Sequence, residues 1–205
     1  MYPITGKTLL VLCCSALLSA VVSGAPSSCT KLDLQTDPFS CCTIPKLLDL
    51  TVVSKCFEQF PIDAASGSTK GASGIPQTDC MSECILNSTS IYNAQGVLNE
   101  KTLNSVFIDS LPQNSPWLSV VQGAVKNCLA KSSRQTKDFS KAVADQRKTT
   151  GSNGGRVCKP QASFLVDCIH TTVFSNCPTT LRSTTDECAT IWTFLQNCPF
   201  SALRQ

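Results

Sequence analysis

The sequence predicts an all-α fold, a compact bundle of about six to eight short helices stapled by disulfides around an apolar cavity. Three observations carry this. Apolar residues recur at helical spacing in successive segments, and no stretch alternates as a half-buried strand would. Proline and glycine punctuate the chain between those segments. Finally, of fourteen cysteines in 205 residues, twelve remain once Cys13 and Cys14 leave with a leader sequence, an even number in an oxidising compartment.

That leader is residues 1–24. Lys7 precedes the apolar run Leu9–Val22, and the small residues Ser23, Gly24 and Ala25 follow, which is the pattern of a secretory signal peptide cut after Gly24. The run is short of the ~20 apolar residues that a membrane span needs. No other segment is a candidate for crossing a bilayer. A secreted, soluble chain is expected, with residues 25–205 forming one domain that has an N-terminal arm and a C-terminal extension. Aromatic residues make up only 6% of the sequence, so the core should be thin or hollow and the bridges should compensate. Each would add ~2–4 kcal/mol by restricting the unfolded chain.

The segments follow in order. Ala25–Ser40 is polar and lacks periodicity, an arm that needs Cys29 to hold it. Cys41 and Cys42 are adjacent, so disulfide geometry sends them to two partners. A first helix is expected over Pro45–Phe60, capped by Thr43, with Leu48, Val52, Cys56 and Phe60 on its apolar face. After a Gly/Ser loop, a second helix over Thr78–Ser90 holds Cys80 and Cys84 one turn apart on one face, reaching two other elements. It also carries the glycosylation sequon Asn87-Ser88-Thr89. Asn99–Ser110 forms a third helix with Leu103, Val106 and Phe107 inside. Ser115-Pro116 starts a fourth, whose stripe is Trp117, Val120, Val121, Ala124, Cys128 and Leu129.

Between Lys131 and Lys159 stand eight basic residues and two aspartates. They are spread among Ser, Thr, Gln and Gly, which fits a solvated loop or an exposed helix around Asp138–Arg147 rather than a nucleic-acid surface. Pro160 opens the next helix, with Phe164, Leu165, Cys168, Ile169, Thr172 and Val173 inside, and Asn176-Cys177-Pro178 closes it. The last helix runs over Thr185–Asn197, with Cys188, Ile191, Trp192 and Leu195 on one side.

Signals for chemistry are weak. His170 is the single histidine, and there is no Cys-x-x-Cys pair, so no metal site is expected. Oxidised cysteines leave no thiol nucleophile, and no nucleophile elbow, zinc-protease motif or phosphate loop is present. Neither an enzyme nor a cofactor is expected. His170 is read as a surface residue with no role, or as a pH switch near a cavity mouth.

From Cys56 onward the cysteine intervals are 23, 3, 43, 29, 9 and 8 residues, ending in Cys177-Pro178, with nine more residues before Cys188. This series resembles the insect odorant-binding proteins, specifically their mosquito-like Plus-C class, which adds cysteines and a proline after the sixth shared cysteine. Cys41-Cys42 and the long polar insertion before Cys158 fit too. The resemblance implies helices around an apolar pocket, and shared cysteines paired first with third, second with fifth and fourth with sixth. Carried over by position, that gives Cys56–Cys84, Cys80–Cys168 and Cys128–Cys177. Cys29, Cys41, Cys42, Cys158, Cys188 and Cys198 would then pair among themselves, the N-terminal arm with the C-terminal region.

The resemblance also implies a carrier that takes small hydrophobic ligands, odorants or pheromone-like molecules, through aqueous lymph to chemosensory receptors, in sensillum lymph or another body fluid. The other function class weighed is a secreted disulfide-rich module, an inhibitor or salivary effector, that binds a protein. A homodimer is compatible with a thin core. Candidate ligand-lining residues on the inner stripes are Phe107, Leu111, Trp117, Val121, Phe164, Leu165, Val173, Phe174, Trp192 and Leu195.

Overall fold

A computed structural model describes residues 37–60, 77–150 and 156–198. The expected leader, the arm up to residue 36 and residues 199–205 lie outside them. Among the described residues there are seven α-helices and two 3-10 turns, with only isolated bridges, Cys42 with Arg182 and Tyr92 with Leu98, in place of strands. The helices are α1 (Leu50–Gln59), α2 (Gln77–Ser88), α3 (Glu100–Ile108), α4 (Leu118–Arg134), α5 (Thr136–Thr150), α6 (Pro160–Ser175) and α7 (Asp186–Asn197). The 3-10 turns are Pro38–Cys41 and Thr179–Leu181. None of the described helices is long and apolar enough to cross a membrane.

Local chemistry sets most of the boundaries. Asn99 caps α3 by accepting from the Thr102 amide at 3.1 Å, and the Thr185 hydroxyl accepts from the Cys188 amide at the start of α7. Pro160 sits in the first turn of α6, where a missing N–H costs nothing. The first helix starts later than the sequence pattern indicates. Asp49 takes the capping position that Thr43 was expected to fill, its Oδ1 accepting from the Thr51 amide at 2.7 Å. Pro45 to Asp49 therefore stays outside the helix. In turn α5 is longer than the expected Asp138–Arg147, because only Gln135 separates it from α4.

Helix α6 is the central element, packed on α4 and α2, while α1 leans on α2 and α3 on α4. The core is continuous: Leu86, Ile91, Leu103, Phe107, Val121, Leu165, Ile169, Val173, Phe174 and Ile191 are all fully buried. Burying side chains of this kind contributes ~1.5–3 kcal/mol each.

Five disulfides join described residues: Cys41–Cys188, Cys42–Cys177, Cys56–Cys84, Cys80–Cys158 and Cys128–Cys168. Cys198 is disulfide-bonded as well, and Cys29 lies outside the described residues. Cys56–Cys84 is the pair the resemblance implies. Cys80–Cys168 and Cys128–Cys177 are not formed, and Cys42 and Cys158 do not stay within the group of additional cysteines. The cause is register. The family order of first with third, second with fifth and fourth with sixth holds when Cys158 and Cys168 are the fifth and sixth cysteines. Gaps of nine and eight residues stand side by side at Cys158–Cys168 and Cys168–Cys177, and choosing the eight-residue gap as the shared one shifts the pairing by one cysteine. Cys158 lies just ahead of α6 beside α2, and Cys168 sits mid-helix against α4, so each meets its partner where the helices pack. Cys177, beyond the end of α6, is left to hold the chain ahead of α1.

Candidate functional site

The ten candidate lining residues come together. Phe107, Leu111, Trp117, Val121, Leu165, Val173 and Phe174 are buried in the main core, and Phe164, Trp192 and Leu195 pack against it half-buried. Phe174 stacks on Trp192 with ring centroids 5.0 Å apart and meets Phe39 edge-on at 5.5 Å. Arg182 also lies over the indole, its guanidinium 4.8 Å from the ring centroid. The Trp192 Nε1 atom is buried without a hydrogen-bond partner, a loss that a buried donor ordinarily does not tolerate. These ten side chains are thus a packed cluster, and none of them lines the three open clefts found among the described residues.

The largest of those clefts, about 740 Å³, lies between the segment ahead of α1, the end of α2 and the outer side of α3. Leu47, Leu48, Leu50, Val52 and Val106 supply its apolar walls. Ser88, Thr89, Ser105 and Ser110 add hydroxyl groups, and Lys46, Asp49 and Asp109 add charges. The cleft exists because the chain from Cys41 to Asp49 is pinned rather than wound into a helix. Cys41–Cys188 and Cys42–Cys177 hold one end of it. At the other end, the hydrogen bond from the Thr51 amide keeps the Asp49 carboxyl below its usual range and hence ionised. Leu47 is buried, whereas Leu50 remains 56% exposed at the rim. Sequence reasoning passed over this site, since drawing the helix from Pro45 folds Leu47, Leu48 and Leu50 into a single helical face. The signal that could have found it is Asp49, an N-cap residue type placed directly before an apolar helical run.

A polar network ties the start of α6 to its neighbours. Asp79 on α2 is 6% exposed and accepts from the Ser163 hydroxyl and, at 3.4 Å, from Gln146. Burial raises its carboxyl above the usual value against those two hydrogen bonds, and the nearby Asp167 and Glu83 push the same way. Gln161 donates to the Ser132 hydroxyl at 2.9 Å and accepts from the Tyr92 phenol at 3.3 Å, and burial pushes that phenol's pKa up. Lys159 donates through Nζ to the Gly96 carbonyl at 2.5 Å, and Gly96 takes φ +70°, a conformation that glycine adopts without strain.

His170 lies half-buried on α6, its Nδ1 donating to the Val166 carbonyl at 2.8 Å and its ring edge-on to Phe107 at 6.1 Å. Asn87 is exposed in the last turn of α2, beside the cleft residues Ser88 and Thr89. No cluster of metal-ligating side chains occurs among the described residues.

A family model described as AgamOBP47-like matches residues 45–194. Among curated proteins, odorant-binding protein 47 of Anopheles gambiae is 28% identical over 164 residues, covering 78% of this chain and 68% of its own length. General odorant-binding protein 67 of the same species is 27% identical over 172 residues, covering 80% of this chain and 76% of its own.

Proposed function

The chain belongs to the AgamOBP47-like family of odorant-binding proteins, and from that premise we propose that it is a secreted carrier rather than an enzyme. It takes small hydrophobic molecules, odorants among them, through an aqueous extracellular fluid and gives them up at chemosensory receptors. The observation that carries the reading is the cleft between α1 and α3, with five leucine and valine side chains beside four hydroxyl groups. A volume of about 740 Å³ falls within the ~300–1,000 Å³ usual for small-molecule sites. Transfer of ~300 Å² of ligand surface out of water at ~25 cal/mol per Å² gives roughly 7 kcal/mol before binding costs, hence micromolar affinity. Phe107 and Leu111 sit on or next to the helix that forms the cleft's α3 wall, and their packing keeps that wall rigid.

The test is a titration of the oxidised chain with an apolar dye whose emission rises in dry surroundings, displaced by decanol. One saturable micromolar site per chain is expected, weakened at least tenfold in Val106→Asp, which puts a charge in the apolar wall. Dye binding that Val106→Asp leaves unchanged would remove the ligand from this cleft. An absence of saturable binding would remove the carrier reading.

A further inference from the structure

A second cleft, of about 360 Å³, lies between α5 and the beginning of α6, lined by Thr136, Phe139, Ser140, Val143, Arg147, Lys159, Pro160 and Gln161. Its chemistry differs from that of the α1–α3 cleft. The α5 residues fall at helical spacing, so Phe139, Val143 and Arg147 form one stripe facing α6. Phe139 and Val143 are half-buried and make an apolar floor, with Phe139 resting on Phe164 at 5.5 Å between centroids. The charged lining consists of two cations, Arg147 and Lys159, and no acid. Arg147 is exposed and makes no hydrogen bond or ion pair among the described residues, so its planar fork is available to an oxyanion. Lys159 is fixed rather than free: the Gly96 carbonyl and the face of Tyr92, 4.3 Å from Nζ, hold its ammonium at the cleft edge. Glu83 accepts from the Lys159 backbone amide at 3.0 Å and is not part of the lining. An apolar floor with one fixed and one mobile cation at its edge is complementary to an amphipathic anion.

We propose that the α5–α6 cleft is a separate binding site for a single-chain carboxylate amphiphile, a fatty acid whose head meets Arg147 and Lys159 and whose chain lies on Phe139 and Val143. The site stands independently of the α1–α3 cleft and does not need that cleft to bind odorants. It is built into the helix that the basic insertion forms, which explains why the basic residues of this region sit beside half-buried apolar ones instead of on a wholly solvated face.

The experiment is a titration of the full oxidised chain with dodecanoate and, in parallel, with dodecanol, below the aggregation threshold of either, read by NMR at the Phe139 ring and the Val143 methyls. Dodecanoate is expected to shift both residues and dodecanol is not. Arg147→Gln should weaken dodecanoate by about five- to tenfold, with the remaining affinity falling as salt rises. Val143→Asp should abolish the dodecanoate effect. Val106→Asp should leave it intact while losing the neutral dye, so that failure of either site is seen separately. Shifts from dodecanol equal to those from dodecanoate, shifts confined to the α1–α3 cleft, or an Arg147→Gln chain with unchanged affinity would each overturn the proposal.

Discussion

Helices α1 and α6 are held in place by different physics. Helix α6 buries Ala162, Leu165, Ile169, Val173 and Phe174, and it is surrounded by α2, α4 and α5. Helix α1 buries only Cys56, and Leu50 and Phe57 on its surface are 56% and 46% exposed. Close packing therefore fixes α6, whereas one disulfide to α2 and a pinned leading segment fix α1. Where packing is dense there is no space for a guest, and where a covalent bond substitutes for packing a cleft can stay open without loss of the fold.

Changes at α6 should have the largest effect. Phe174→Ala removes a fully buried ring between Trp192 and Phe39, and should cost ~3–5 kcal/mol in urea unfolding. A loss below about 1 kcal/mol would mean that this part of the core is loosely packed and already able to admit a ligand. Next comes the paired change Cys56→Ser with Cys84→Ser. It opens a loop of 28 residues, and should cost about 3 kcal/mol. The same double variant should also lose dye binding in the fold that remains, because α1 would then be tied only through its leading segment; retained binding would show that this segment and packing are enough to hold α1.

The smallest effect concerns pH. Asp79 has its carboxyl raised above 3.8 by burial, so the folded state prefers the protonated acid. Its contribution to stability is present below the ordinary carboxylate pKa and is lost as pH rises through the raised value. Relative to Asp79→Asn, the native chain should therefore lose stability as pH rises out of the ordinary carboxylate range and through the raised value. Denaturation curves showing the opposite slope would mean that the Ser163 and Gln146 hydrogen bonds outweigh desolvation.

Much of the helical plan was legible because it rests on local patterns. Pro160 and Thr185 mark the starts of α6 and α7, and the stripes through Phe107, Val121 and Leu165 are the inner faces that the structure buries. What was not legible depends on comparing two local readings that are equally good. Thr43 and Asp49 are both competent caps, and only the two disulfides from Cys41 and Cys42 hold the intervening chain out of the helix. Likewise Cys158, Cys168 and Cys177 offer two adjacent spacings, and only the packing of α6 on α2 and α4 selects between them. The α1–α3 cleft follows from the first of these choices, which is why apolar stripes led to the packed core and not to the open wall.

The most direct measurement is a set of isotope-filtered NOEs between decanol and the methyl groups of the oxidised chain at saturation. The account predicts contacts to Leu48, Val52 and Val106 on the walls of the α1–α3 cleft. Contacts to Val121, Leu165 and Val173 instead would contradict it, since the packed core would then have to open and take the ligand inside.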